Sequence, residues 1–125
     1  MNSLKINKTL HQPEIIMDFD KSYVLFEGKS IVSNVAEFYE PIANWLKEFS
    51  LDTSRALLFD FKLEYFNTAS LKEILQLLLI LKEAENKGLK ITFNWFIFKE
   101  DDDMREIAEE AEILSQLKIN YRSMD

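Results

Sequence analysis

Hydrophobic and polar positions alternate along this chain in two different periods, one typical of strands and one typical of helices. Two short β-rich runs, residues 14–19 and 23–27, flank a polar tripeptide and predict a β-hairpin that ends at Gly28. In residues 34–49 the apolar positions recur at spacings of three and four, which predicts a helix with one apolar face. Pro41 lies within this pattern and removes a backbone hydrogen bond. We therefore expect a kink there, or a helix that effectively starts just before the proline.

The second half of the chain alternates strands with helices. Residues 55–66 predict a strand whose first part, 56–59, is continuously apolar, as in a strand covered on both faces. Residues 70–86 predict a helix with a broad apolar surface, and Gly88 supplies its C-cap. Three further segments follow, namely a strand at 89–98, an acidic amphipathic helix at 102–117 and a last short strand at 118–122.

This order of elements predicts a mixed α/β fold. The elements follow one another as β-β-α-β-α-β-α-(β), so a hairpin opens the sheet and the later strands run parallel, joined by right-handed crossovers. A mixed sheet of four to five strands with helices packed on it fits the 125 residues. This length corresponds to a single domain, residues 1–125.

Composition and charge exclude several classes of function. A formal net charge of −7 argues against a basic surface for phosphate backbones, so no nucleic acid is expected as a partner. The absence of Cys excludes disulfides, thiolate metal sites and Cys nucleophiles, and suits a reducing cytoplasm. No signal peptide or membrane span is predicted. The single histidine, His11, lies in a polar segment that offers no partner for a catalytic or metal site.

The junction between the strand at 55–66 and the next helix carries two hydroxyl groups. Ser70 and Glu73 match the capping pattern S-x-x-E, so Ser70 is expected to cap the helix. Thr68 lies just before this cap, which does not need it. A phosphate on Thr68 would lie near unpaired amides at the helix N-terminus, where an anion is favoured. Hydroxyls are also common at such junctions without any modification, so the residues alone leave both interpretations open.

The residues around Thr68 and one acidic run are candidate partner contacts. Tyr65 and Phe66 either fill the core or anchor a partner, and Asn67 is a typical turn residue. The run Glu100-Asp101-Asp102-Asp103 follows the next strand, so it is expected at the same edge of the sheet as Thr68. A phosphate there would be attracted by the helix dipole and repelled by the carboxylates. This balance suits a switch for binding rather than a stabilising modification.

Two motifs, YFNTAS at residues 65–70 and WFIFKEDDDMRE at residues 95–106, resemble the SiaC family of regulatory phosphoproteins. That family is related in fold to the STAS domains of anti-sigma-factor antagonists. The resemblance covers nearly the whole chain and includes EIIMDF at 14–19 and NVAEFYEPI at 34–42. It implies a STAS-like fold and a threonine phosphoacceptor, which falls on Thr68. Ala69 stands where serine is common, which narrows the acceptors to Thr68 and, as second choice, Ser70.

The resemblance also implies a noncatalytic signalling protein with three kinds of protein partner. These are a kinase of the histidine-kinase-like ATPase type, a PP2C-type phosphatase that resets the switch, and a downstream effector such as a diguanylate cyclase. In the best-known members the unphosphorylated form binds and activates the cyclase. No cofactor is expected, and the effector, the direction of the switch and the oligomeric state stay open for this chain. The predicted partner-binding residues are Tyr65, Phe66, Asn67, Ser70, Asp101, Asp102 and Asp103.

Two other functions are compatible with the same residues. One is a constitutive interaction module of this fold in which Thr68 is never modified. The other is a small enzyme that places Mg²⁺ between Asp60 and the acidic run. That run lacks the spacing of a calcium loop, and acidic residues at a helix start ordinarily complement the helix dipole. For these reasons no metal site is predicted, and no nucleophile or glycine-rich phosphate cradle supports the enzyme.

Overall fold

The computed structural model describes all 125 residues and contains a mixed β-sheet of six strands with three helices. The strands are β1 (Leu4–Ile6), β2 (Glu14–Asp18), β3 (Tyr23–Ser30), β4 (Ala56–Phe66), β5 (Lys90–Ile97) and β6 (Asn120–Ser123). The helices are α1 (Val35–Phe49), α2 (Thr68–Asn86) and α3 (Asp102–Ser115). The predicted α/β class is confirmed, with six strands rather than four or five. The unpredicted strand, β1, is only three residues long and lies in a polar segment.

The strands lie in the sheet in their sequence order. β1, β2 and β3 are antiparallel neighbours, whereas β3, β4, β5 and β6 run parallel. Each parallel connection steps to the next strand in the same direction, and such crossovers are right-handed, so all three helices lie on one face of the sheet. The middle helix, α2, contacts both α1 and α3. The opposite face carries no helix.

This one-sided arrangement explains the burial along β4. Phe59 and Phe61 point toward the helices and are 1% exposed, whereas Leu58 on the other face is 40% exposed. The prediction that residues 56–59 are covered on both faces is therefore wrong. The apolar run in this segment reflects one buried face and one partly exposed leucine.

A β-bulge changes which side chains face the core at the end of β4. Gly28 of β3 pairs with Leu63, but the next residue, Lys29, pairs with Tyr65, which leaves Glu64 as the extra residue. The strand β3 continues past Gly28, which has a φ of 110°, and does not end there as predicted. The bulge turns Tyr65 outward and Phe66 inward.

Helix α1 runs without interruption through Pro41. The helix starts at Val35, so the late start just before the proline does not occur. Pro41 has no backbone N–H, so the carbonyl oxygen of Glu37 lacks its usual hydrogen bond within the helix. Both residues are exposed, so water can donate to that carbonyl. The apolar face of the helix then compensates for the missing bond, since Tyr39, Ile42 and Leu46 are buried.

Candidate functional site

All three helices begin at the same edge of the sheet. α1 follows β3, α2 follows β4 and α3 follows β5, and these three strands are parallel neighbours. Three helix N-termini with free amides therefore line the edge formed by the carboxyl ends of the strands. The N-cap residues are Asn34, Asn67 and Asp101.

Helix α2 starts earlier than the sequence pattern indicates. Asn67 is its N-cap, because the Asn67 Oδ1 accepts a hydrogen bond of 2.9 Å from the Ser70 amide. Ser70 is consequently the third residue of the helix, and the prediction that it is the cap is wrong. Thr68 is the first helical residue and is exposed. The amides of Thr68 and Ala69 have no partner in the chain, so negative charge is favoured beside them.

The hydroxyl of Ser70 points into the protein and belongs to a buried hydrogen-bonded group. It donates to the Ser30 carbonyl oxygen at 3.0 Å, and the Ser30 hydroxyl donates to Ser70 Oγ at 2.9 Å. Because the Ser30 proton is used in this bond, the Tyr39 hydroxyl is the donor in its 2.6 Å bond to Ser30 Oγ. Both serines are 0% exposed. In this arrangement a kinase cannot reach Ser70, so it is not an available second acceptor.

Tyr39 ties helix α1 to the start of α2 through this group. Its side chain is 1% exposed. Burial raises the pKa of the Tyr39 phenol from 10.0 to about 12, and the nearby charge of Glu73 acts in the same direction. The phenol is therefore a neutral donor at physiological pH. Neither Ser30 nor Tyr39 stood out in the sequence, because each lies 31 or more positions before Ser70 and no local pattern connects them.

The two aromatic residues before Asn67 occupy different environments. Tyr65 is 52% exposed, whereas Phe66 is 7% exposed. The Phe66 ring packs against Phe61 and Trp95, with centroid distances of 6.2 Å and 6.3 Å. Tyr65 is therefore available to a partner near Thr68. Phe66 is part of the core, which does not support its predicted role as a partner contact.

The acidic run lies at the same edge, as expected from the parallel strands. Asp101 caps α3, with its Oδ1 accepting from the Met104 amide at 3.0 Å. Asp102 and Asp103 follow in the first turn and are exposed. Since β4 and β5 are neighbours, the starts of α2 and α3 are adjacent. A phosphate on Thr68 would therefore have two exposed carboxylates in the neighbouring helix start.

No three histidine, aspartate or glutamate side chains converge so that they could hold a metal ion. Asp60, proposed above as a Mg²⁺ ligand, lies on the uncovered face of the sheet, where it accepts hydrogen bonds from Tyr23 at 2.8 Å and Asn94 at 3.0 Å. His11 lines an open depression of about 510 Å³ beside the start of α1. None of the helices is long and apolar enough to span a membrane.

The family model for SiaC family regulatory phosphoproteins matches residues 6–124 of this chain. An uncharacterized protein of Pseudomonas aeruginosa strain UCBPP-PA14 is 30% identical over 110 residues, which cover 88% of this chain and 87% of that protein. This chain is also similar to the crystal structure of apo-SiaC from Pseudomonas aeruginosa, with 27% sequence identity and a TM-score of 0.88. The match covers 98% of this chain and 99% of the apo-SiaC chain. This chain is also similar to a chain in the crystal structure of the diguanylate cyclase SiaD in complex with its activator SiaC from the same organism. The identity is 27% and the TM-score is 0.90, and the match covers 96% of this chain and 98% of that one.

Proposed function

Because this chain belongs to the SiaC family of regulatory phosphoproteins, we propose that it is a noncatalytic signalling protein whose partner binding is switched by phosphorylation of Thr68. Its proposed partners are a kinase of the histidine-kinase-like ATPase type, a PP2C-type phosphatase and a downstream effector. We propose the cytoplasm as the place where they meet, in keeping with the cysteine-free chain.

The observation that carries this proposal is the setting of the Thr68 hydroxyl. Thr68 is exposed, it is the first residue of α2, and two unpaired amides lie beside it. In the proposed step the Thr68 oxygen forms a bond to the γ-phosphorus of ATP while the bond to ADP breaks, and the hydroxyl proton is released. The kinase supplies ATP and the catalytic groups, and this chain supplies the acceptor. The phosphate then rests beside a helix N-terminus, where its charge is stabilised.

The added phosphate changes the surface that a partner meets. It brings about −1.5 to −2 charges to one point of the edge. That edge already carries the exposed carboxylates of Asp102 and Asp103, on a chain with a formal net charge of −7. A partner that contacts the exposed ring of Tyr65 and the start of α2 would have to accept the added charge or dissociate.

We propose a diguanylate cyclase as the effector and the unphosphorylated protein as its activator. The support is the likeness to SiaC bound to the cyclase SiaD as its activator. A constitutive interaction module with the same fold is the competing function, because a free helix N-terminus also binds carboxylates without any modification.

Phosphopeptide mass spectrometry after incubation with the kinase and ATP tests the proposal. Phosphate on Thr68, together with loss of cyclase activation by the modified protein, is the expected result. Cyclase activation that is equal for the wild-type protein, Thr68→Ala and the phosphorylated protein would favour the constitutive module. Phosphate found elsewhere, with Thr68 unmodified, would remove the assignment of the acceptor.

A further inference from the structure

Two different residues in the sequence can start helix α2, and the structure uses only one. Asn67 caps the helix through its bond to the Ser70 amide. Ser70 and Glu73 form a second complete capping pattern three residues later. In that later register the Ser70 Oγ would accept from the Glu73 amide and the Glu73 carboxylate would accept from the Ser70 amide. Thr68 and Ala69 would then lie outside the helix.

The end of β3 decides between these two starts. The Ser30 carbonyl accepts both from the Asn67 amide at 3.2 Å and from the Ser70 hydroxyl at 3.0 Å. The Ser70 hydroxyl is therefore held inside the protein by hydrogen bonds to Ser30, which it would have to leave in order to cap the later start. The Ser30 Oγ donates to Ser70 Oγ and accepts from the Tyr39 hydroxyl. These hydrogen bonds therefore connect β3, α2 and α1. Every hydroxyl proton of the three side chains is used.

We infer that the buried hydroxyls of Ser30, Tyr39 and Ser70 select the register of the α2 start and thereby make Thr68, rather than Ser70, the exposed acceptor. The three are positioning residues, since none of them meets the phosphoryl group. The identity of the acceptor rests on the proposed function, whereas the register is a property of the unmodified protein. In the later register the Ser70 hydroxyl would leave its buried position and become accessible to a kinase.

Amide hydrogen exchange followed by NMR tests the register without any partner. The variant combines Ser30→Ala with Tyr39→Phe, so that neither hydroxyl is left unpaired. We expect the amides of Leu71 and Lys72 to exchange about tenfold faster than in the wild type, because each loses one hydrogen bond in the later register, whereas the Ser70 amide replaces its Asn67 acceptor with the Glu73 carboxylate. Ile74 is the internal reference, since its amide bonds to the Ser70 carbonyl in both registers. Tyr39→Phe alone should raise the same exchange rates by a smaller factor. This single variant replaces the paired variant in the test if the paired variant does not fold.

Glu73 separates a change of register from simple fraying of the first turn. Glu73→Ala removes the later cap, so adding it to the paired variant should return the exchange rates toward the wild-type values. Glu73→Ala alone should leave them unchanged. Unchanged exchange at Leu71 and Lys72 in the paired variant overturns the inference. Failure of Glu73→Ala to reverse the effect also overturns it, because fraying does not need Glu73.

Phosphorylation by the kinase that labels the wild-type protein tests the choice of acceptor. In the paired variant we expect phosphoserine at Ser70 beside phosphothreonine at Thr68, and a kcat/KM for Thr68 about fivefold lower. Adding Glu73→Ala should restore the wild-type pattern, which a merely structural defect would not allow. Label confined to Thr68 with unchanged kcat/KM contradicts the selection of the acceptor. If the wild type itself takes no label, the proposed function fails, while hydrogen exchange still decides the register.

Discussion

Thr68 and Ser70 stand two residues apart in the first turn of α2, and their hydroxyls face opposite environments. Thr68 is exposed, whereas Ser70 is 0% exposed and donates to the Ser30 carbonyl oxygen at 3.0 Å. Position in the helix turn, rather than residue type, therefore decides which hydroxyl an enzyme can reach.

Replacing Thr68 with Glu should weaken the binding of the effector by about tenfold or more, because it places a permanent charge on the proposed docking surface. Thr68→Ala should bind like the wild type. Isothermal titration calorimetry with the candidate cyclase measures both. The matched control is Thr53→Glu, which adds the same charge at an exposed threonine at the opposite edge of the sheet. Equal weakening by Thr53→Glu and Thr68→Glu would show that only net charge matters.

The two asparagine caps should differ in their contribution to stability. Asn67 makes a side-chain bond to the first turn of α2, whereas Asn34 makes none to α1. Asn67→Ala should therefore lower the free energy of unfolding by about 1 kcal/mol, and Asn34→Ala by much less. Urea unfolding monitored by circular dichroism measures the difference. Similar losses for the two variants would contradict this difference between the two caps.

Substitutions of Tyr65 and Phe66 should have different effects, one on partner binding and the other on the stability of the fold. Phe66→Ala should lower the free energy of unfolding by about 3–5 kcal/mol, because it leaves a cavity beside Phe61 and Trp95. Tyr65→Ala should change that free energy by less than about 0.5 kcal/mol, since the ring is half exposed. Its effect should instead be weaker binding of partners that cover the start of α2. A Tyr65→Ala protein with normal stability and unchanged affinity for kinase, phosphatase and effector would remove Tyr65 from the binding surface.

The buried phenol of Tyr39 should make stability depend on pH in the alkaline range. Its pKa is raised from 10.0 to about 12 by burial, so the folded protein holds this proton more tightly than the unfolded chain. The resulting stability is fully present below pH 10 and is lost as the pH rises toward 12. Relative to Tyr39→Phe, the wild type should lose about 2 kcal/mol over this range. Urea unfolding of both proteins at several pH values measures the difference, and parallel pH profiles would contradict it.

Local sequence patterns predict most of the architecture, and contacts between distant segments account for the errors. The parallel strands alone place Thr68 and the acidic run at one edge. The burial of Ser70, by contrast, depends on Ser30, which lies 40 positions earlier. The inward turn of Phe66 depends on a bulge opposite Gly28 and Lys29. The capping pattern of Ser70 and Glu73 satisfies the local rules, and it fails because Ser70 is hydrogen-bonded to Ser30 at the end of β3.

The position of Thr68 on the rim of the sheet has a kinetic consequence. In the proposed switch, a protein large enough to bind at this rim also covers Thr68, so a bound copy would be screened from the enzymes that add or remove phosphate. We therefore expect each copy to keep its chemical state until it is released. The lifetime of the complex and the abundance of the effector would then set how quickly the cell can change the signal.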